Sequence, residues 1–373
     1  MKKKLLVFHP ALAPYRIDFF NSIVNKFDAL FYFSNDNLKD QTFNQDRLRS
    51  KCNFKFNLLL NGFEVGKRSF RTGIFKIINE YKPEIIICSE YSQITLQALI
   101  YKYVLGKKFK VYTISDDSLD LSFKRSGIRK WLRDFLSNYI DGIIFPSDSV
   151  SNWYHANVNS STKLITIPII HDNDIFRNKI SELLPNANNN LLKYKLQNKK
   201  IFLFVGRLVA VKNVAFLINA YANVVSSMAD SKLVIIGDGE EYFNLQSQVS
   251  KLGINENCIF TGRFEGDELS TWFLVADCLV LPSYYEPYGV VVNEALLSGC
   301  KVLCSNLAGA SDLVTNSNGA LFNPYNLNDL SNLLIDTYNE ISIKNSITYL
   351  RTDLMPFHFN EKFSDFISSI NNN

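Results

Sequence analysis

The sequence lacks the features that mark several protein classes. No apolar run approaches the roughly 20 residues that a membrane-spanning helix needs. The six cysteines form no CxxC pair, which argues against a zinc ribbon and favours reduced structural thiols. The net charge is only +4 and no long basic block is present, so nucleic acid is not indicated as a partner. The four histidines show no ligand spacing, and we interpret the single DxD string, Asp172-Asn-Asp174, as a loop and predict no metal site.

The amino terminus also differs from a secretion signal. Three lysines follow Met1, but the apolar run after them ends four residues later, before His9. That run is too short for the apolar core of an export signal, so we predict a first strand there. We therefore expect a cytoplasmic protein.

Short apolar runs alternate with amphipathic stretches along nearly the whole chain, which is typical of parallel βαβ units. A length of 373 residues exceeds what one hydrophobic core usually serves, so we predict an α/β protein with two Rossmann-like domains. We place the first domain at residues 1–176, an Asn-rich linker at 177–200, the second domain at 201–345 and a returning C-terminal helix at 346–373. The predicted strands are residues 5–8, 29–33, 84–88, 110–114, 142–145, 164–167, 201–205, 232–236, 258–261, 278–281, 301–304 and 320–322.

In the second half, two cations follow a predicted strand. Gly206, Arg207 and Lys212 lie in a turn that leads into a helix, where free backbone N–H groups favour anions. A diphosphate needs this much positive charge, and each charge-assisted hydrogen bond contributes roughly 1.5 to 3 kcal/mol. The alternative is an exposed loop with solvated charges. A second turn, Gly237-Asp-Gly239, follows the next strand and would let a ligand approach the backbone, although ordinary strand-to-helix turns look the same.

Two carboxylates follow a later strand of the second half. Glu286 lies in the loop after the strand, Gly289 opens a helix, and Glu294 lies in the first turns of that helix. Because part of the separation is helical, at about 1.5 Å per residue, we expect the carboxylates about 10 Å apart or more. This exceeds the roughly 5 to 9.5 Å of a hydrolytic acid/base pair. We therefore interpret them as holding two ends of one ligand, with the N–H groups of Val290 and Val291 between them for phosphate.

The sequence Glu286-Pro-Tyr-Gly-Val-Val-Val-Asn-Glu294, with the upstream Gly-Arg-Leu and Lys-Asn, resembles glycosyltransferase family 4. The resemblance covers essentially the whole second half, including Asn306-Leu-Ala-Gly-Ala-Ser-Asp and Asn318-Gly-Ala-Leu-Phe-Asn-Pro. The first half fits more loosely, through an opening His9-Pro-Ala-Leu-Ala-Pro-Tyr-Arg16 that is similar to some bacterial polysaccharide-assembly members. The resemblance implies the GT-B fold, in which two Rossmann-like domains face a central cleft, and sugar transfer that retains the anomeric configuration.

The resemblance also implies roles for particular residues. Arg207 and Lys212 would neutralise the diphosphate of a UDP- or GDP-linked donor, so that no metal or other cofactor is required. Glu286 would bind hydroxyls of the donor sugar, and Glu294 the ribose. The implied donor-binding set is Gly206, Arg207, Lys212, Gly239, Glu286, Tyr288, Gly289, Val290, Val291 and Glu294.

The acceptor side departs from the family pattern. Many members carry a histidine after a first-domain strand, whereas this chain has Ser115-Asp116-Asp117-Ser118 there. Asp116 or Asp117 would either activate or orient the acceptor hydroxyl, since a carboxylate takes up a proton, or cap the next helix. We name Asp116 as the candidate catalytic residue of the first domain, and His9, which follows the first strand, as the histidine most open to a functional role.

Residues 124–139 predict an amphipathic helix. Its apolar face would either contact an anionic membrane that carries a lipid-linked acceptor, or pack in the core while a basic face is solvated, and both interpretations are open. The apolar positions are Ile128, Trp131, Leu132, Phe135, Leu136 and Tyr139, and the basic positions are Arg125, Arg129, Lys130 and Arg133.

The leading hypothesis is a retaining, metal-independent hexosyltransferase of surface polysaccharide or lipopolysaccharide (O-antigen) assembly. It would transfer a sugar to a glycan or lipid-linked acceptor, as a cytoplasmic protein peripheral to the inner face of the plasma membrane. One alternative is a GT-B nucleotide-sugar epimerase, which needs further acid/base residues. Another is a non-catalytic partner subunit, suggested by the missing histidine, although the complete set of Arg207, Lys212, Glu286 and Glu294 argues against it.

Overall fold

The chain forms two compact units in the computed structural model. The first unit contains residues 1–169 together with the residues from 360 onward, and the second contains residues 170–359. Each unit has an α/β architecture built on one large parallel sheet, which confirms the predicted fold class. The parts of the chain that the structure describes are residues 1–37, 42–65, 68–158 and 162–371.

The first unit has a seven-stranded parallel sheet and a small hairpin. Its strands are β1 (Lys4–His9), β2 (Asp28–Phe33), β3 (Phe56–Leu58), β4 (Gly62–Val65), β5 (Arg68–Arg71), β6 (Ile85–Ser89), β7 (Lys110–Ile114), β8 (Gly142–Phe145) and β9 (Lys163–Thr166). The large sheet has the order β3-β2-β1-β6-β7-β8-β9. Its central strands are largely buried and mainly apolar, as expected when helices cover both faces of a sheet. All six predicted strands are confirmed, with ends within one residue.

The sequence did not predict β3 or the antiparallel pair β4 and β5. Strand β4 is exposed along its whole length, so it lacks the buried apolar run by which the other strands were recognised. Its pairing with β5 places Phe63 opposite Phe70, and these rings stack with centroids 5.3 Å apart. A cross-strand aromatic contact therefore stabilises this hairpin, and such a contact has no local sequence period.

Eight helices surround the sheet of the first unit in the described residues. Two of them begin at a serine whose hydroxyl accepts a backbone N–H: Ser92 accepts from Thr95 and Ser147 from Val150, each at 3.3 Å. The helices are α1 (Ile17–Lys26), α2 (Gln45–Arg49), α3 (Ile74–Tyr81), α4 (Gln93–Tyr103), α5 (Leu119–Lys124), α6 (Gly127–Ser137), α7 (Asp148–Asn157) and, at the chain's end, α15 (Phe359–Asn371).

The second unit has a six-stranded parallel sheet. Its strands are β10 (Lys200–Val205), β11 (Ser231–Ile236), β12 (Cys258–Gly262), β13 (Cys278–Leu281), β14 (Lys301–Ser305) and β15 (Gly319–Phe322), in the order β12-β11-β10-β13-β14-β15. Its helices are α8 (Asn173–Ser181), α9 (Leu184–Lys193), α10 (Val214–Val224), α11 (Tyr242–Lys251), α12 (Asp267–Val275), α13 (Val291–Leu297) and α14 (Leu327–Glu340). All six strands predicted for this half are confirmed. Helices α10 and α14 pack on one face of this sheet around buried Phe202, Phe204 and Tyr221.

The predicted linker at residues 177–200 is wrong. Helix α9 and most of α8 occupy that range, and both helices belong to the second unit, which begins at residue 170. The segment is rich in asparagine, but those side chains make specific bonds: Asn190 Nδ2 donates to Thr271 Oγ1 at 2.8 Å and Asn188 Nδ2 to the carbonyl of Ile347 at 2.6 Å. Tertiary contacts therefore override the composition of this segment.

The C-terminal boundary is also later than predicted. Residues 346–359 belong to the second unit, and only the residues from 360 onward join the first. Within the first unit α15 packs through Phe366 against Phe19 of α1, with ring centroids 5.2 Å apart. Arg351, in the segment before α15, is held in the second unit by a hydrogen bond to the carbonyl of Phe273 at 2.8 Å.

The apolar face of α6 is largely exposed. Ile128 is 82% exposed and Trp131 64%, and Trp131 stacks on Phe135, which is also exposed. A core-packing role therefore does not apply to these residues, although Leu136 is buried. The side chain of Arg129 lies outside the described part of the structure. No helix in the described residues combines the length and apolar character that a bilayer crossing requires.

Candidate functional site

The turn after β10 presents the two predicted cations of the second unit. Gly206 N–H donates to Ile236 O at 3.0 Å and Leu208 N–H to Asp238 O at 2.7 Å, so backbone bonds attach this turn to the one after β11. The chain then forms a 3-10 turn, Ala210–Lys212. Arg207 is exposed, whereas Lys212 is half-buried. The positions of both residues are therefore set by backbone structure at the carboxyl edge of the sheet, where ligands bind in such folds.

Lys212 and Glu286 form an ion pair through Lys212 Nζ and Glu286 Oε2. Both side chains are largely buried, with 14% and 12% exposure. The hydroxyl of Ser283 also donates to Glu286 Oε2 at 3.4 Å, and the Glu286 carbonyl accepts from Gly309 N–H at 3.1 Å. The fold thus brings together two predicted site residues that are 74 positions apart.

The segment after Glu286 depends on one glycine. Gly289 has a φ of +100°, and a Cβ there would lie 2.8 Å from Leu281 Cδ2 and 3.2 Å from Glu286 Cγ. A side chain at this position would therefore displace Glu286, the carboxylate predicted to bind the donor sugar. Tyr288 is buried, and its carbonyl accepts from Ala310 N–H at 2.7 Å. Val290 and Val291 follow as the N-cap and first residue of α13.

Glu294 lies in α13 and contacts a histidine that the sequence did not single out. His171 Nε2 lies 3.7 Å from Glu294 Oε1, and the His171 N–H donates to Asn293 Oδ1 at 2.9 Å. His171 is 123 positions before Glu294 and belongs to no local motif. Only its position before α8 in the folded unit reveals the contact.

The structure explains the glycine at position 239 by backbone packing, whereas the sequence analysis explained it by ligand approach. A Cβ at Gly239 would lie 2.3 Å from the carbonyl oxygen of Leu208, and one at Gly237 would lie 1.8 Å from that of Gly206. The two glycines therefore let the turn after β11 pack on the turn that carries Arg207. Here the missing side chains accommodate protein backbone, and the prediction that Gly239 binds the donor stays a prediction.

Asn213 has a structural role that the Lys-Asn pair in the sequence did not indicate. It is buried, adopts a left-handed φ of 56°, and donates through Nδ2 to the carbonyls of Pro282 (3.1 Å) and Pro324 (3.2 Å). These bonds join the loops after β13 and β15 to the start of α10, directly beside Lys212. The sequence indicated a role for the neighbouring Lys212 only. The two bonds of the Asn213 amide could not be predicted, because their carbonyl partners lie in distant loops.

In the first unit, Asp116 and Asp117 are engaged by arginines. Asp116 is half-buried and pairs with buried Arg16. Asp117 is 3% exposed and pairs with Arg125 and, at 2.5 Å, with Arg133 Nη2. The sequence left open whether these aspartates contact the acceptor or cap the next helix, and it did not indicate that they pair with arginines. Through Arg133, Asp117 links α6 to the segment after β7. Asp116 is the more accessible of the two carboxylates, because its side chain is more exposed.

The DxD string is a helix start. Asp172 is the N-cap of α8, and its Oδ1 accepts from the N–H groups of Asp174 (3.0 Å) and Ile175 (3.1 Å). In the described residues no three histidine, cysteine, aspartate or glutamate side chains are grouped to hold a metal ion. All six cysteines are free thiols, and five of them are buried.

Comparisons with known proteins identify the second unit most directly. The family described as "Glycosyl transferases group 1" matches residues 190–347. The uncharacterized glycosyltransferase MJ1607 of Methanocaldococcus jannaschii is 35% identical over 130 residues, which cover 35% of this chain and 33% of that protein. The alpha-monoglucosyldiacylglycerol synthase of Streptococcus pneumoniae is 27% identical over 57% of this chain and 47% of its own length. These matches thus span half or less of each relative.

The structural comparison extends over the whole chain. The crystal structure of Anabaena HepE in complex with UDP covers 100% of both chains with a TM-score of 0.76, at 16% sequence identity. At that identity the likeness shows the fold alone. Both large parallel sheets of this chain have counterparts in that GT-B structure. Residues 190–347 are therefore similar to the glycosyl transferases group 1 family, and the chain has the GT-B fold.

Proposed function

We propose that the protein is a retaining glycosyltransferase that moves a sugar from a nucleotide-diphosphate donor to a glycan or lipid-linked acceptor. The observation that carries this proposal is the Lys212–Glu286 pair, set beside Arg207 at the carboxyl edge of the second sheet. A half-buried cation and carboxylate offer complementary contacts to a ligand that has both phosphate and sugar hydroxyls. The Anabaena neighbour was solved with UDP, which favours a UDP-linked donor here.

The roles follow from charge. Lys212 and Arg207 bind the donor diphosphate and stabilise the negative charge that develops as the glycosidic bond breaks, so that the reaction proceeds without a metal ion. Without donor, Glu286 neutralises Lys212, which limits the cost of holding an ammonium group half-buried. When the donor is bound, its diphosphate neutralises Lys212 in place of Glu286. Glu286 is then free to accept hydrogen bonds from sugar hydroxyls. Glu294 binds the ribose, and the backbone of Gly289, Val290 and Val291 binds the distal phosphate.

The acceptor side of the proposal rests on the surface of α6. Its exposed apolar residues lie on the same helix as Lys130, and the exposed ring of Tyr103, at the end of α4, contacts the exposed ring of Tyr139 after α6. The predicted basic face is smaller than expected, because Arg133 is buried and Arg125 pairs with Asp117. The exposed apolar surface beside Lys130 still fits the boundary of a bilayer. The similarity to a glycolipid synthase supports a lipid-linked acceptor, and surface polysaccharide or lipopolysaccharide assembly is the pathway we propose.

A nucleotide panel tests the proposal. Thermal unfolding would be followed with UDP, GDP and their sugars, and nucleotide release would then be measured with candidate acceptors, with and without EDTA. We expect stabilisation by one nucleotide class, acceptor-dependent release, and no effect of EDTA. Nucleotide binding without any release would indicate the non-catalytic subunit, whereas conversion of the donor sugar without acceptor would indicate an epimerase.

A further inference from the structure

The side chain of His171 lies beside the Glu294 carboxylate within the second unit. Its Nε2 is 3.7 Å from Glu294 Oε1, and the two side chains are only 16% and 21% exposed. Because a carboxylate only accepts hydrogen bonds, the nitrogen that faces it is the one that carries a proton. The distance is within ion-pair range but longer than a hydrogen bond. The imidazole therefore attracts the carboxylate without using its hydrogen-bonding capacity.

The backbone of His171 is attached to α13, the helix that carries Glu294. The His171 N–H donates to Asn293 Oδ1 at 2.9 Å, and Asn293 directly precedes Glu294 in the chain. The Asn293 side chain is fully buried, and its Nδ2 lies 3.3 Å from Met355 Sδ. The residue after the histidine, Asp172, is the N-cap of α8, so the chain is held there as well. The fold therefore fixes the point from which the imidazole extends.

The imidazole ring has a second contact that limits its rotation. It stacks on Phe176 of α8, with ring centroids 5.1 Å apart and planes inclined by 25°. Rings that pack in this way occupy one staggered orientation instead of several. The ring of His171 is therefore oriented toward Glu294 before any ligand binds, and a site that is ordered in advance loses less entropy on binding.

Glu294 keeps its carboxylate available for a ligand. Its backbone is engaged in and just after α13, since its N–H donates to Val290 O at 3.2 Å and its carbonyl accepts from Ser298 Oγ at 2.8 Å. A carboxylate accepts up to about four hydrogen bonds, and the contact with His171 uses none of them. The adjacent 2′ and 3′ hydroxyls of a ribose match such an acceptor, whereas a 2′-deoxyribose offers one hydroxyl fewer.

We propose that His171 is a positioning residue that holds the Glu294 carboxylate toward the 2′-hydroxyl of the donor, and that it thereby sets a preference for ribonucleotide over 2′-deoxyribonucleotide donors. This inference rests on the proposed function, in which Glu294 binds the ribose. Without the imidazole, the carboxylate is free to leave this position, and bonds to hydroxyls must then offset the entropy of ordering it. A fixed carboxylate therefore discriminates more strongly against a missing hydroxyl than a mobile one.

The main test compares dissociation constants for UDP and 2′-deoxy-UDP, and for GDP and 2′-deoxy-GDP, by calorimetry. The wild type should bind one ribonucleotide roughly 10- to 100-fold more tightly than its deoxy analogue, the contribution of one charge-assisted hydrogen bond. His171→Leu keeps an apolar contact with Phe176 but has no donor, and should reduce this preference to about threefold or less. His171→Gln restores a donor and should keep a preference of roughly 10-fold. The control His358→Leu, at an exposed histidine of the same unit, should match the wild type.

A double-mutant cycle separates positioning from a merely structural role. Glu294→Ala should abolish the preference, and adding His171→Leu to it should then change either dissociation constant by less than about twofold. A histidine that only supports the fold would weaken the ribonucleotide and its deoxy analogue equally and lower the thermal midpoint. That result, an unchanged preference in His171→Leu, or a glutamine variant no better than the leucine variant overturns this inference alone. A wild type that binds none of the four nucleotides overturns the proposed function as well.

Discussion

The carboxyl edges of the two sheets carry charge in different ways. In the second unit, Arg207 and Lys212 lie in one turn, and Glu286 and Glu294 lie in one loop and helix, so local segments supply the whole candidate donor site. In the first unit the charged residues come from the ends of β1, β6 and β7 and from α6, and they pair mainly with one another. Our proposal assigns the second edge to ligand binding, whereas Asp116 and Asp117 at the first edge are already paired with arginines.

The largest effect that would test this comparison is expected from Arg133→Met. Arg133 is buried with Asp117, so its loss leaves a buried carboxylate with half-buried Arg125 as its remaining arginine partner. Breaking such a pair costs roughly 3 to 5 kcal/mol of unfolding free energy, measured by urea denaturation. The control Lys130→Met breaks the more exposed pair with Asp134 on the same helix and should cost under about 0.5 kcal/mol. Equal effects would show that the Arg133 cluster is not structural.

Glu286→Gln should give the next largest effect, on activity and not on stability. Replacing the carboxylate removes hydrogen bonds to the donor sugar, and we expect kcat to fall roughly 100- to 1,000-fold while nucleotide binding is largely retained. Steady-state transfer assays and calorimetry with nucleotide alone measure the two quantities. Glu340→Gln, which breaks the surface pair with Lys301 in the same unit, is the control. Lost nucleotide binding with intact kcat would reverse the assigned role.

Arg207→Ala should weaken both nucleotide binding and transfer. One charge-assisted hydrogen bond contributes roughly 1.5 to 3 kcal/mol, so the dissociation constant for nucleoside diphosphate should rise about 10- to 100-fold. Calorimetric titration measures this change. Arg263→Ala, at an exposed arginine after β12, serves as the comparison. If the two variants bind nucleotide equally well, Arg207 is a solvated surface cation.

The smallest predicted effect concerns the exposed face of α6. Trp131→Ser should weaken binding to vesicles that contain anionic lipid by about 10-fold, since partial burial of an aromatic ring contributes about 1 to 2 kcal/mol. Vesicle sedimentation at low and high salt would measure it. Phe243, which is 78% exposed in the second unit against 64% for Trp131, provides the control Phe243→Ser. Binding that is unaffected by Trp131→Ser would separate α6 from any membrane contact.

The accuracy of the sequence predictions differs between elements for physical reasons. The twelve predicted strands are recognisable because a parallel strand buried on both faces is a continuous apolar run. The linker prediction failed because composition describes solvation of an isolated segment, whereas Asn188 and Asn190 are bonded to residues 81 to 159 positions away. The exposed hairpin of β4 and β5 was missed because neither strand is apolar enough to form such a run.

The sequence by itself determined the two-sheet α/β architecture and the local grouping of Arg207, Lys212, Glu286 and Glu294. Strand burial and motif spacing are properties of neighbouring residues, which a linear pattern records. Only the tertiary structure decided that Lys212 pairs with Glu286 in the second unit, and that in the first unit Arg16 pairs with Asp116 across 100 positions and the Asp116 N–H donates to Glu90. The reason is that burial and charge at a site depend on which distant segments the sheet order places side by side.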